Sequence, residues 1–213
     1  MAKIAATLKN EGYHVVIEAD LCKKTMGASA DMPDIAAGVV MACHIRAISS
    51  LLDWQGLETE QIENIRDNNC EELFSRFGLS YSEARDSATE ESFRKQIEEF
   101  PTEYGRDAWY PVIDKSRCIS CGKCHDFCLF GVYAVENKQV KVVQPQNCKN
   151  NCPACARMCP AKAIIFPKYE KSPINGGTAE EETFNPEEMN KMYRERLQMR
   201  LQQRRAGVSL TKK

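Results

Sequence analysis

The fold is decided by two cysteine runs, CISCGKCHDFC at residues 118–128 and CKNNCPACARMCP at residues 148–160. Their spacings are C-x2-C-x2-C-x3-C and C-x3-C-x2-C-x3-C-P, and they hold eight of the eleven cysteines. Three thiolates on one tight loop can reach three corners of an iron–sulfur cube, so the fourth must come from another direction. Zinc sites usually combine two separate C-x2-C pairs instead. The pattern therefore predicts iron–sulfur clusters rather than zinc.

These runs resemble the bacterial two-cluster ferredoxins, and the resemblance covers residues 109–167. It implies two [4Fe–4S] clusters, with the fourth cysteine of each run binding the other cluster. By this resemblance the first cluster is held by Cys118, Cys121, Cys124 and Cys159. The second is held by Cys148, Cys152, Cys155 and Cys128. The chain departs from the family at Leu129, where a proline is usual, and in one extra residue between the first two cysteines of the second run.

The rest of this module reads as an internal repeat. Residues 132–135 and 140–143 are mostly apolar and flank Glu136-Asn137-Lys138, which predicts a hairpin. Each run is followed by a β-rich piece, GVYAV after the first and AKAIIF after the second. We predict an α+β fold class, in which a pseudo-twofold ferredoxin domain at 109–168 follows a small α/β domain and precedes a C-terminal helix.

The small α/β domain is predicted at residues 1–80. Its pattern favours a helix at 2–10, a strand at 14–18, a loop at 20–33 and a strand at 38–42. Apolar residues at helical spacing follow from 45 to 52, and two short helices are expected at 59–68 and 70–77. Alternation of strands and helices predicts a small parallel sheet.

Three less regular segments complete the chain. Residues 81–108 are predicted to connect the two domains through a polar helix at 82–99. Residues 169–185 are predicted to be a linker because they contain Pro173, Gly176 and Gly177. Residues 186–213 are predicted to form an amphipathic basic helix and tail, with Asn185 as N-cap. This helix either packs on its own chain, lies in solvent, or docks on a partner subunit.

The remaining cysteines, Cys22, Cys43 and Cys70, lie in a region that resembles the N-terminal domain of the flavin-containing heterodisulfide reductase subunit. The residues that carry this resemblance are Ala42, Cys43 and Arg46 in one motif, and Asn64, Ile65 and Arg66 in another. The family uses such cysteines to hold a [4Fe–4S] cluster. Three alternatives stay open: a third cluster with a foreign fourth ligand, a vestigial site, or buried core cysteines. His44 and His14 are candidate fourth ligands.

Composition narrows the function classes. The net charge of −1 excludes a globally basic nucleic-acid-binding protein. No apolar stretch reaches the roughly 20 residues of a membrane span. The first residues lack a signal-peptide core, which predicts a cytoplasmic protein. No dinucleotide fingerprint or P-loop occurs, so the sequence shows no catalytic residue and no flavin or nicotinamide site.

We expect a subunit that relays electrons to or from a partner oxidoreductase containing a flavin or a metal. The first alternative is an oxidoreductase subunit whose N-terminal cysteine site acts directly on a small substrate. The second is a sensor or assembly subunit in which the clusters mainly hold structure.

Overall fold

The computed structural model describes residues 1–59, 61–66, 70–79, 87–100 and 108–178, with positions 198 and 202. Helices and strands are mixed along the chain, as the α+β prediction requires. The helices are α1 (Ala2–Asn10), α2 (Leu21–Met26), α3 (Met32–Ala37), α4 (Ile45–Trp54), α5 (Cys70–Arg76), α6 (Ser87–Glu98), α7 (Lys123–Phe127) and α8 (Ala154–Met158). The strands are β1 (Val40–Ala42), β2 (Ile62–Asn64), β3 (Val112–Ile113), β4 (Tyr133–Glu136), β5 (Gln139–Val142) and β6 (Ile164–Ile165).

The N-terminal part contains a two-stranded parallel sheet. Val40 of β1 lies opposite Ile62 of β2, and Ala42 lies opposite Asn64. The helix predicted at 59–68 is therefore wrong, because part of that segment pairs with β1. The predicted strand at 14–18 is also wrong: it forms no strand, and Val15 packs beside α1 and α6. Most of the loop predicted at 20–33 is also replaced, by α2 and the start of α3.

Helix α4 carries the apolar face that organises this part. Ile48, Leu51 and Leu52 are each at most 1% exposed. Each such side chain contributes about 1.5–3 kcal/mol through removal of apolar surface from water. The core that they form also contains Tyr110 and Val112, from the start of the cysteine-rich segment. One hydrophobic core thus spans residues of both segments.

The cysteine-rich segment builds two antiparallel pairs. Strand β3 pairs with β6, and β4 pairs with β5 as the predicted hairpin. Asn137 and Lys138 at its turn have φ of 51° and 65°. Two successive positive φ values match a type I′ turn, whose twist suits a two-residue hairpin. Helices α7 and α8 contact each other between these pairs.

Side chains of α4 fasten the two segments together. Trp54 packs on Tyr110, with ring centroids 5.4 Å apart. Its Nε1 donates to the Val142 carbonyl of β5 at 3.2 Å. The hydroxyl of Tyr110 donates to the Cys22 carbonyl at 2.6 Å. These contacts fix where the cysteine-rich segment lies on the N-terminal core.

The described end of the chain also packs on α4. Phe166 N–H donates to the Ile174 carbonyl at 2.7 Å, and a Cβ placed on Gly176 would lie 2.6 Å from Ala47 Cβ. Residues 169–178 of the predicted linker therefore cover part of the fold. The predicted helix at 186–213 lies outside the described residues, apart from Gln198 and Gln202, which are helical. Among the described helices, none has the length and apolar character that crossing a membrane demands.

Candidate metal centre

Four cysteines from both runs line one cavity. Its volume is about 320 Å³ when the solvent space at its open side is included. The cysteines around it are Cys118, Cys121, Cys124 and Cys159. Three belong to the first run and the last to the second run, which is the grouping that the resemblance to ferredoxins implies. Cys121 is exposed and Cys124 is buried, so the cavity reaches from the surface into the core.

The loops that carry these thiols have backbone conformations that repeat in the two runs. Ser120 and Asn151 each precede the second cysteine of a run, and their φ values are 50° and 57°. Gly131 and Lys162 each lie three residues after the last cysteine, with φ of 67° and 50°. Positive φ is uncommon for residues other than glycine, so its use at matched positions marks a shared loop geometry.

Backbone N–H groups face the sulfurs of this first group. The N–H of Ala163 donates to Cys159 Sγ at 3.3 Å. Burial raises the pKa of Cys159, while N–H groups of Ala163, Ile164 and Ala161 lower it. Burial also raises the pKa of Cys124 to about 12. Such thiols stay protonated without metal, and a bound iron would supply the charge that stabilises the thiolates.

The second group gathers around the buried Cys155. Its pKa is raised to about 12, mainly by burial and to a smaller extent by the neighbouring Cys148 and Cys128. The Tyr133 hydroxyl donates to Cys155 Sγ at 3.1 Å, which lowers that pKa. Cys128 ends α7 in the first run, so here too a cysteine crosses from one run to the other. Cys152 is half-buried, and its N–H donates to the Lys149 carbonyl at 3.1 Å.

These thiols fit [4Fe–4S] clusters, because thiolates hold such clusters and N–H groups stabilise charge on sulfur. A cube has four separate iron corners, so its ligands stand farther apart than ligands of one ion. Among the residues that the structure describes, no three His, Cys, Asp or Glu side chains converge on a single metal ion.

Two of the three N-terminal cysteines lie together. Cys22 in α2 is buried in the α4 core, and Cys43 packs against that core. Burial raises the pKa of Cys22 to about 12, with smaller contributions from Asp20 and Cys43. Arg66 lowers the pKa of both thiols. Cys70 begins α5 and is half-buried.

The two histidines proposed as fourth ligands lie in different surroundings. His44 is buried, and its Nδ1 is 3.4 Å from Asn64 Nδ2. His14 is exposed on the segment that was expected to be a strand.

Two features of the site escaped the sequence-based analysis. Tyr133 was read only as part of an apolar run, although a buried hydroxyl needs a partner and so signals a nearby acceptor. Arg46 was noted only as part of a motif. In the structure its Nε lies 2.8 Å from Asp114 Oδ2, next to the first cavity.

Part of the chain is similar in sequence to known proteins. The chain is 33% identical over 79 residues to Ferredoxin-3 of Nostoc sp., covering 80% of that protein and 27% of this chain. The chain belongs to the ferredoxin family. We call residues 109–168 the ferredoxin segment.

Two further relatives extend this comparison. An uncharacterized ferredoxin of Methanocaldococcus jannaschii is 49% identical over 81 residues, 36% of this chain and 54% of that protein. The chain thus spans about half of this relative. The thiosulfate reductase electron transfer subunit of Salmonella typhi is 31% identical over 83 residues, 36% of this chain and 43% of that subunit.

No family model matches the chain, and no solved structure matches it. The resemblance to heterodisulfide reductases is not shown by these comparisons and stays a prediction.

Proposed function

We propose that this chain carries electrons through two [4Fe–4S] clusters in its ferredoxin segment. The ligands would be Cys118, Cys121, Cys124 and Cys159 for the first, and Cys148, Cys152, Cys155 and Cys128 for the second. The observation that carries this proposal is that four cysteines from both runs line the same cavity. Family membership supports it, because ferredoxins hold iron–sulfur clusters on such runs.

When bound, each cluster would supply a one-electron couple. The chain's own residues bind the irons through sulfur, bury part of each site and donate hydrogen bonds. The N–H of Ala163 and the hydroxyl of Tyr133 each face a ligating sulfur. Donors of this kind stabilise the added negative charge, so they raise the reduction potential of the cluster that they touch.

We further propose that the partner is a redox protein with an acidic face. Residues 108–178 contain ten Lys or Arg and four Asp or Glu, although the whole chain has a net charge of −1. The bound clusters are anions and offset part of this positive charge. The exposed Cys121 and Ile119 bring the first cluster site to the surface. The Salmonella relative, named as an electron transfer subunit, supports a role beside a redox partner.

The test is the iron and acid-labile sulfide content of anaerobically purified protein, with the EPR spectrum after reduction. About eight of each per chain are expected for two cubes. A Cys124→Ser variant should lose about four of each, whereas Cys70→Ser serves as the matched control and should lose none. A content near zero in the unsubstituted chain would refute the proposal.

The same measurement decides the role of the N-terminal cysteines. A third cluster would raise the iron content to about twelve, and Cys70→Ser would then lower it. Cys22 and Cys43 share one core and lie close enough for their charges to interact, which supports a shared role for these two thiols.

A further inference from the structure

Arg46, in the first turn of α4, reaches across to the ferredoxin segment. Its side chain is 20% exposed, and its Nε lies 2.8 Å from Oδ2 of Asp114, whose side chain is 7% exposed. Its Nη2 donates to the Lys162 carbonyl at 2.6 Å, and Nη1 donates to the Gly177 carbonyl at 3.3 Å. One guanidinium therefore joins three separate pieces of chain.

Asp114 and Lys162 belong to the two loops that carry ligands of the first cluster. The backbone carbonyl of Asp114 accepts a hydrogen bond from the Cys118 N–H at 3.0 Å. The backbone N–H of Asp114 donates to the Ala163 carbonyl at 2.8 Å. Lys162 immediately precedes Ala163, whose own N–H donates to Cys159 Sγ. Arg46 thus holds the start of the first run against the end of the second run.

Resting on the proposed function, we propose that Arg46 is a positioning residue for the first cluster: it holds both ligand loops in place and raises the cluster's reduction potential. The guanidinium is close enough to Cys159 for their charges to interact. A positive charge in a poorly hydrated site stabilises the reduced, more negative cluster. No contact of Arg46 with the cysteines of the second cluster is seen in the described residues.

Substitutions of the two partners of the Arg46–Asp114 ion pair are expected to have opposite effects on the potential of the first cluster. Arg46→Met would remove the cation paired with the buried carboxylate, whose Oδ1 keeps its hydrogen bonds from the Ser116 N–H and hydroxyl. A negative charge without its ion-pair partner would then remain beside the first cluster, so the potential of that cluster should fall. Asp114→Asn would leave the guanidinium uncompensated, so the same potential should rise. Two substitutions in one ion pair are therefore expected to move one potential in opposite directions, which loss of packing alone would not do.

The experiment is voltammetry of the full chain with both clusters loaded. Tyr133→Phe marks the second cluster, because it removes the hydrogen bond to Cys155. Arg46→Met should lower one potential, Asp114→Asn should raise that same potential, and Tyr133→Phe should lower the other. The matched control is Arg76→Met, which breaks an exposed ion pair to Glu63 in the N-terminal part. It should move neither potential.

Iron release to a chelator supplies a second readout of the ligand loops. Arg46→Met should release the iron of one cluster faster than the unsubstituted protein. Arg46→Lys keeps the charge but not the forked donors, so the potential should move less than in Arg46→Met while iron release still quickens. If Arg46→Met fails to load, Arg46→Lys and Asp114→Asn carry the test.

The inference is overturned if Arg46→Met and Tyr133→Phe lower the same potential, or if Arg46→Met and Asp114→Asn shift a potential in the same direction. The inference is also overturned if Arg46→Met and Asp114→Asn both leave every reduction potential unchanged. These results leave the proposed function intact. By contrast, an unsubstituted protein without any cluster couple would refute the proposed function itself.

Discussion

Removal of the Tyr133 hydroxyl should lower the reduction potential of the cluster bound by Cys155, because it removes one hydrogen bond to a ligating sulfur. Tyr133 is 5% exposed, and its hydroxyl lies 3.1 Å from Cys155 Sγ. Tyr133→Phe removes this donor and little volume. The bond should be stronger to the reduced cluster, because the sulfur then carries more negative charge. A difference of about 0.5–1.5 kcal/mol, the net contribution of a typical hydrogen bond, lowers a one-electron potential by about 20–60 mV.

The assay is voltammetry of the unsubstituted protein and of Tyr133→Phe, with EPR to confirm that the substitution leaves the cluster content unchanged. The matched control is Tyr169→Phe, because the Tyr169 hydroxyl pairs with Arg157 Nη2 at 3.0 Å instead of with sulfur. Burial raises the pKa of Tyr133 well above its ordinary value, so the shift should not change through the neutral pH range. A shift of both potentials, a rise, or a shift equal to that of the control would refute the reasoning.

Three further predictions concern packing, metal and charge. Gly176→Ala should lower the free energy of unfolding by about 2–4 kcal/mol in denaturant titration, because its Cβ would lie 2.6 Å from Ala47 Cβ. The matched control is Gly12→Ala, since Gly12 has a φ of 92° against 93° at Gly176 but open space around its Cβ. It should cost about 1 kcal/mol, and equal losses would contradict this packing. Removal of the iron by a chelator should lower the midpoint of thermal unfolding, because metal binding contributes to folding. An unchanged midpoint would contradict this prediction. Lys123→Glu, beside the first cavity, should slow electron transfer to ferricyanide at low salt, whereas Lys138→Glu at the hairpin turn should have less effect.

The hairpin of β4 and β5 was predicted because two mostly apolar runs flank a polar turn at Asn137 and Lys138. Helices at the positions of α1 and α4 were also predicted, α4 from its apolar spacing. Each of these elements is encoded within about a dozen neighbouring residues. The grouping of Cys159 with cysteines of the first run came from the resemblance to ferredoxins, and its role in cluster binding stays a prediction.

The errors of the sequence-based predictions fall where distant partners decide the structure. Val15 and Ile17 have high β propensity, yet no strand pairs with them, and they pack beside α1 and α6 instead. Residues 62–64 were assigned to a helix, but β1 offers them a parallel partner. Short segments take their structure from such contacts, because propensity alone contributes too little to oppose them.

The domain boundary between the two segments stays a prediction. The Arg46–Asp114 ion pair connects the segments, and its burial has an energetic cost. Burying an ion pair such as Arg46–Asp114 costs desolvation, which its mutual attraction offsets only with further hydrogen bonds. Here the carbonyls of Lys162 and Gly177 supply them, one before and one after β6 in the chain. An apolar pair of similar volume would hold the segments together without that cost. We therefore expect the charge to act at the proposed first cluster, because an apolar pair in its place would leave that cluster without a nearby guanidinium to stabilise its reduced form.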